Sequence, residues 1–151
     1  MRIVVQRVSG ASVDVEGLEV GSIDAGLLLL VGIEPSDTEQ DIVRAVEKVT
    51  NLRVFPDEEG QMNLSLVETS GSALVVSQFT LLADVHKGRR PSFLRAAPPE
   101  LAEQMVDRFV EVLRSTGTHV ETGLFGASMN VELVNSGPVT VVLEVRDGRV
   151  T

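Results

Sequence analysis

The run Gly26 to Ile33, GLLLLVGI, leaves the chain few choices of fold. Eight consecutive apolar or glycine residues without polar alternation cannot keep one face in water, so the run predicts a strand covered on both faces. It is too short to cross a membrane as a helix, which needs about 20 residues. A strand covered on both faces needs neighbours within its sheet and a packing layer on each side. Ile3, Val4, Val5 and Val8, then the alternation Ser12 to Val15, predict two strands separated by a Ser9-Gly10 turn. Glu16-Gly17 turns the chain again, and Glu19 to Ile23 forms a third strand. The apolar run is then the fourth strand of a meander.

Further on, Ser36 followed by Glu39 makes a capping box, and Ile42, Ala45, Val46 and Val49 recur at helical spacing. They predict a helix over residues 37–51 with its apolar stripe on the sheet. Leu52 to Phe55 reads as a short strand, Pro56 to Gln61 as a surface turn and Ala73 to Phe79 as a second buried strand. Pro98 and Pro99 open a second helix, whose inner face is Leu101, Met105, Phe109, Val112 and Leu113. Thr118 to Phe125, Ser128 to Val134 and Val139 to Val145 add three strands, with disorder expected only in the last few residues. No linker, repeat or low-complexity stretch interrupts this order. The expectation is a single α/β domain over residues 1–151, with a largely antiparallel, barrel-like sheet and two main helices.

Composition narrows the function. At 43% hydrophobic and 23% charged residues, the chain can bury roughly two thirds of the surface its unfolded form exposes. Cysteine is absent, which removes disulfides, thiolate metal sites and a cysteine nucleophile, and fits a reducing cytoplasm. The opening MRIVVQRVSG has too short an apolar run for a signal peptide, so a soluble cytoplasmic protein without membrane contact is expected. A formal charge of −9 argues against broad adhesion to nucleic acid. RNA contact would be local, and the candidate is residues 84–95, where Lys87, Arg89, Arg90 and Arg95 against Asp84 give four cations minus one acid, +3. Alone, such a cluster is an ordinary solvated loop.

Three segments carry more special residues than folding requires. In SQFTL, Ser77 to Leu81, a hydroxyl at Ser77 or Thr80 is a possible nucleophile. Such a group needs a base, and His86 and His119 are the only imidazoles. A lone Ser or Thr at a strand end more often bonds to backbone. In HKGRRPSF, His86 to Phe93, adjacent arginines can grip phosphate, and Phe93 offers a stacking face or, more commonly, a core side chain. In NSGPVT, Asn135 to Thr140, Gly137 and Pro138 interrupt two strands. Glycine's free backbone and an X-Pro bond open to the cis form can present fixed carbonyls to a ligand, although most Gly-Pro pairs only punctuate turns.

Five stretches in order, MRIVVQRV, SQFTL, KGRRPSF, TGLFGASM (Thr122 to Met129) and NSGPVT, resemble the D-aminoacyl-tRNA deacylase family along nearly the whole chain. The resemblance implies hydrolysis of the ester joining a D-amino acid, or glycine mischarged on tRNA-Ala, to the terminal adenosine of tRNA, with L-aminoacyl esters spared. It implies a homodimer in which Gly137 and Pro138, joined by a cis bond, enter the partner's pocket, with Arg7 bracing their loop. It puts Ser77, Gln78, Phe79 and Thr80 along the ester, Phe125 and Met129 near the adenosine, and Lys87, Arg89 and Arg90 on the tRNA. No metal or organic cofactor is implied. Two mechanisms fit such a site: attack by Thr80, and assistance from the ribose 2′-hydroxyl with backbone amides near Phe79 and Thr80 on the oxyanion. Lack of an evident base favours the second. The competing readings are a threonine-nucleophile esterase using Thr80 and a noncatalytic RNA-binding module. Ser136 departs from the family, which commonly has an acid there.

Overall fold

The apolar run is held between two partners, as its composition requires, but it is the third strand and not the fourth. The computed structural model describes all 151 residues, Met1–Thr151. Its strand β1 spans Arg2–Val15, β2 Leu18–Ile23 and β3 Gly26–Gly32. Helix α1 (Glu39–Asn51) follows, then a small hairpin of β4 (Phe55–Pro56) and β5 (Met62–Leu64). Next come β6 (Ser72–Ser77), a 3-10 turn over Phe79–Leu82 and helix α2 (Pro99–Ser115). Strands β7 (Val120–Thr122), β8 (Asn130–Arg146) and β9 (Arg149–Val150) complete the chain. The main sheet runs β7-β6-β3-β1-β8-β9, with β2 on the far half of β1. Pairing along β1 is antiparallel to β2, β3 and β8, whereas β3, β6 and β7 run parallel, so the sheet is mixed and largely antiparallel.

Each face of this sheet has its own core. Ile3, Val5, Leu27, Leu29, Val31, Ala73 and Val75 meet the stripes of α1 (Ile42, Ala45, Val46, Val49) and α2 (Val106, Phe109, Val110, Leu113). On the other face Leu28, Leu74, Val76 and Val8 are covered by Ala11, Val13 and Ile23. Two of the covering residues, Ala11 and Val13, come from β1 itself because this strand changes face between Val8 and Ala11, and the third, Ile23, ends β2. Val8 pairs with Asn135 and Gly10 with Val134, two steps on β1 for one on β8. Such a bulge reverses the side-chain alternation without reversing the chain. The expected Ser9-Gly10 turn is therefore a bulge, and the sheet curls into a half-barrel. Likewise Gly137-Pro138 does not divide two strands. It is a looped-out stretch inside β8, which runs unbroken from Asn130 to Arg146.

Other boundaries move for local reasons. The helix cap is Thr38 with Asp41, since the Asp41 carboxylate accepts the Thr38 N–H at 2.8 Å, and α1 starts two residues later than the Ser36 box predicts. Asp41 also accepts the Gly148 N–H at 2.8 Å, fastening the β8–β9 turn to the helix, and Arg149 and Val150 pair with Arg146 and Val145. The strand expected over 52–55 pairs only from Phe55, and that over 118–125 shrinks to Val120–Thr122. β6 stops at Ser77, because Phe79 already belongs to the 3-10 turn.

Candidate active site

Where β6 leaves the sheet, the chain builds the rim of a cavity. Gln78 donates its N–H to the Val31 carbonyl at 2.8 Å, the last tie to β3, and the 3-10 turn then lifts Phe79 to 55% exposure. Its amides at Phe79 and Thr80 precede the turn's first internal bond, Leu81 N–H to Gln78 C=O at 3.2 Å. The following segment loops out between Asp84 and Ser92, which exchange backbone bonds of 2.8 and 2.9 Å, and returns to the sheet where Ala97 N–H reaches the Ile33 carbonyl at 2.9 Å. That return places the Phe93 ring edge-to-face with Phe79, centroids 5.0 Å apart at 74°. Phe93 is thus half-buried in the cavity wall and not a core residue.

The cavity encloses about 510 Å³ and is mainly apolar. Ser77, Gln78 and Phe79 form one side, Phe93, Ala97 and Pro98 another, and Phe125 and Gly126 close it from the loop after β7. A smaller cavity of about 230 Å³ shares Ser77, Gln78, Phe79 and Gly126, and Met129 lines its wall. The larger volume lies in the range of small-molecule sites. Sequence reasoning missed Ala97, Pro98, Ala102 and Val106 as wall residues, since small and apolar residues at a helix start read as packing.

Polar chemistry here is sparse. The Thr80 hydroxyl accepts a hydrogen bond from the Gln78 side-chain amide, and no imidazole or carboxylate bonds to it. His119 pairs with Glu121 at 3.1 Å beside β7, next to the start of β6 and so at the opposite end of the strand from Ser77. His86 lies exposed in the basic loop. No group of acidic, histidine or cysteine side chains gathers closely enough to hold a metal ion. Of the basic residues, Arg95 is committed elsewhere, donating to Glu34 at 2.8 Å. Burial pushes the Glu34 carboxyl up, but hydrogen bonds from Arg95 and Arg146 and the nearby N-terminal ammonium outweigh it and hold it below its ordinary value. Hydrogen bonding to Glu34 raises Arg95 in turn. Lys87, Arg89 and Arg90 stand exposed on the loop tip without an ion pair.

Gly137 and Pro138 lie away from this cavity. Their bond is cis and Gly137 has φ +123°, a conformation that favours glycine. Arg7 of β1 donates Nε–H to the Ser136 carbonyl at 3.0 Å and bonds through Nη1 to the Val54 carbonyl. Register separates the two regions: Ser77 pairs with Val31, Val31 with Ile3 and Ile3 with Leu143, six residues beyond Gly137 on β8. Three strand spacings alone amount to about 14 Å. Within one chain, therefore, Arg7, Ser136, Gly137 and Pro138 form one group and Ser77 to Thr80 with Phe93 and Phe125 another.

A sequence model of the family described as D-Tyr-tRNA(Tyr) deacylase matches residues 4–144. The chain is similar to a D-aminoacyl-tRNA deacylase of Thermomicrobium roseum, 58% identical over 144 residues that cover 95% of this chain and 94% of the relative. It is 54% identical to the D-aminoacyl-tRNA deacylase of Teredinibacter turnerae, with 95% and 99% covered. Among solved structures, one described as "c-Myc DNA Unwinding Element Binding Protein" superposes with a TM-score of 0.90 at 44% identity, covering 95% of this chain and 98% of that one. Another, described as a probable eukaryotic D-amino acid tRNA deacylase, gives 0.82 at 19% identity with 93% and 97% covered, a likeness of fold.

Proposed function

The chain belongs to the D-Tyr-tRNA(Tyr) deacylase family and is a D-aminoacyl-tRNA deacylase, and on that premise we propose that it rejects L-aminoacyl esters through its Gly137-Pro138 backbone, with hydrolysis assisted by the tRNA itself. The terminal adenosine enters the apolar cavity beside Phe125, with Met129 in the adjoining smaller cavity, and the ester lies along Ser77 to Thr80. The absent base at Thr80 carries the mechanistic reading. A threonine hydroxyl is a weak nucleophile at neutral pH, and an amide such as Gln78 takes no proton from it. A ribose 2′-hydroxyl adjacent to the ester needs no further positioning, and that proximity is worth several kcal/mol. The Phe79 and Thr80 amides, before the turn's first internal bond, suit an oxyanion.

Selectivity follows from main chain. A rigid backbone set where an L side chain must project excludes every L residue by overlap, whichever side chain it carries. Glycine has none and passes, so glycyl-tRNA-Ala joins the substrates. Since Gly137 and Pro138 are exposed and lie at another part of the sheet from Ser77, the filter has to come from a second copy. Two features support a homodimer: the edge of β8 left unpaired before Val145, where β9 takes over, and its exposed apolar residues Val134 and Val142, at 64% and 62%. Lys87, Arg89 and Arg90 meet the acceptor-end phosphates, a local contact compatible with the charge of −9.

Thr80→Ala, assayed on D-tyrosyl-tRNA with a normal and with a 2′-deoxy terminal adenosine, tests the mechanism. The variant should keep most activity on the normal substrate, and the deoxy ester should be cleaved at least about a hundredfold more slowly by the wild type. A folded but inactive variant, with the deoxy ester still cleaved by the wild type, would make Thr80 the nucleophile.

A further inference from the structure

The Gly137-Pro138 loop is held on its far side, after Pro138, by the Asn135 side chain. On β1 only Arg7 lies between Gln6, which pairs with Thr140, and Val8, which pairs with Asn135. One residue thus faces the four residues 136–139, and the ladder cannot hold so large a bulge by itself. The Asn135 side chain bridges its base. Its Oδ1 accepts the Val139 N–H at 3.0 Å, and its Nδ2 donates to Thr140 Oγ1 at 2.9 Å. The same hydroxyl accepts Gln6 Nε2 at 3.2 Å, which ties the bridge back to β1.

We propose that Asn135, with Thr140 and Gln6, positions the chirality filter, a specificity role that rests on the filter reading above. The loop is fixed from two directions, by Arg7 on the Ser136 carbonyl before Gly137 and by Asn135 on the Val139 N–H after Pro138. No side chain bonds to the Gly137 or Pro138 carbonyl, so the clamp sets their direction while leaving them to the substrate. Steric rejection demands this rigidity. A backbone able to retreat by an ångström admits the L side chain, whereas the D ester, which does not press on it, reacts as before. Losing the clamp therefore raises L cleavage more than it lowers D cleavage.

The test is the ratio of kcat/KM for D-tyrosyl- and L-tyrosyl-tRNA in Asn135→Ala, Thr140→Val and Thr140→Ser, with Gly137→Ala and Pro138→Ala as controls on the filter. Asn135→Ala and Thr140→Val should lower the ratio by about tenfold, the scale of one lost hydrogen bond, while Thr140→Ser, which keeps the hydroxyl, stays near wild type. A purely structural role would lower the melting temperature and leave the ratio untouched, and that result overturns the proposal. If the controls change the ratio and the clamp variants do not, the clamp alone fails. If neither control changes it, the filter reading fails and the clamp with it.

Discussion

A methyl group added at Gly26 would stand 1.9 Å from the Ser72 carbonyl oxygen, closer than any real contact. Gly26 opens β3 opposite the first residue of β6, so the parallel pair must shift to admit a side chain. Gly26→Ala should lose about 1–3 kcal/mol in urea unfolding without a change in the slope of the transition. At the loop tip, Arg89→Glu with Arg90→Glu should weaken tRNA binding and flatten its salt dependence by roughly one counterion per lost phosphate contact. Unchanged binding and slope would move the RNA contact elsewhere. At this scale the motifs were legible because backbone needs and chemistry write themselves into residue type, as at Gly137. Phe93 was not, since an aromatic side chain in a core and one in a cavity wall look alike in a sequence. Nor was the pairing of Arg95 with Glu34, residues distant in the chain.

Helices were easier to read than strands, for a physical reason. The stripes of α1 and α2 repeat on a local period, and both helices lie within two residues of where those stripes put them. Strands β1 and β8 pass through bulges that look like turns, because Ser-Gly and Gly-Pro mark a reversal and a bulge equally. The cap of α1 offers a prediction with a definite sign. Burial pushes the Asp41 carboxyl up, but hydrogen bonds from Gly148 and Thr38 outweigh it, and the group lies below its ordinary value. A depressed carboxylate stabilises the fold above its unfolded pKa, about 4, and that contribution is lost as pH falls through the folded value. Asp41→Ala should therefore cost about 1–3 kcal/mol at pH 7, with the difference from wild type shrinking toward pH 2. A difference that stayed constant across that range would mean that packing and not charge carries the effect.

In the whole molecule, the curl of the sheet puts the cavity rim at Ser77 and the Gly-Pro bulge on different regions of one chain, and the proposed filter therefore calls for a second copy. Val142 lies on the exposed face of β8 beyond the bulge, and an acid there would be desolvated in any interface covering that strand. Val142→Glu should convert dimer to monomer in light scattering and lose deacylation with it. A monomeric variant with full activity would show that one chain is a complete enzyme. The fold class was legible at this scale because a doubly buried strand and two amphipathic helices admit few layerings. The separation of Gly137 from Ser77 within one chain was expected from the family resemblance alone, because register between distant strands is set by bulges whose size the residues do not display. The most direct measurement is release of tyrosine from matched D-tyrosyl- and L-tyrosyl-tRNA by the wild-type protein. The D ester should be hydrolysed and the L ester left intact at enzyme concentrations that clear the D ester completely, whereas equal cleavage of both, or of neither, would contradict a backbone filter for chirality.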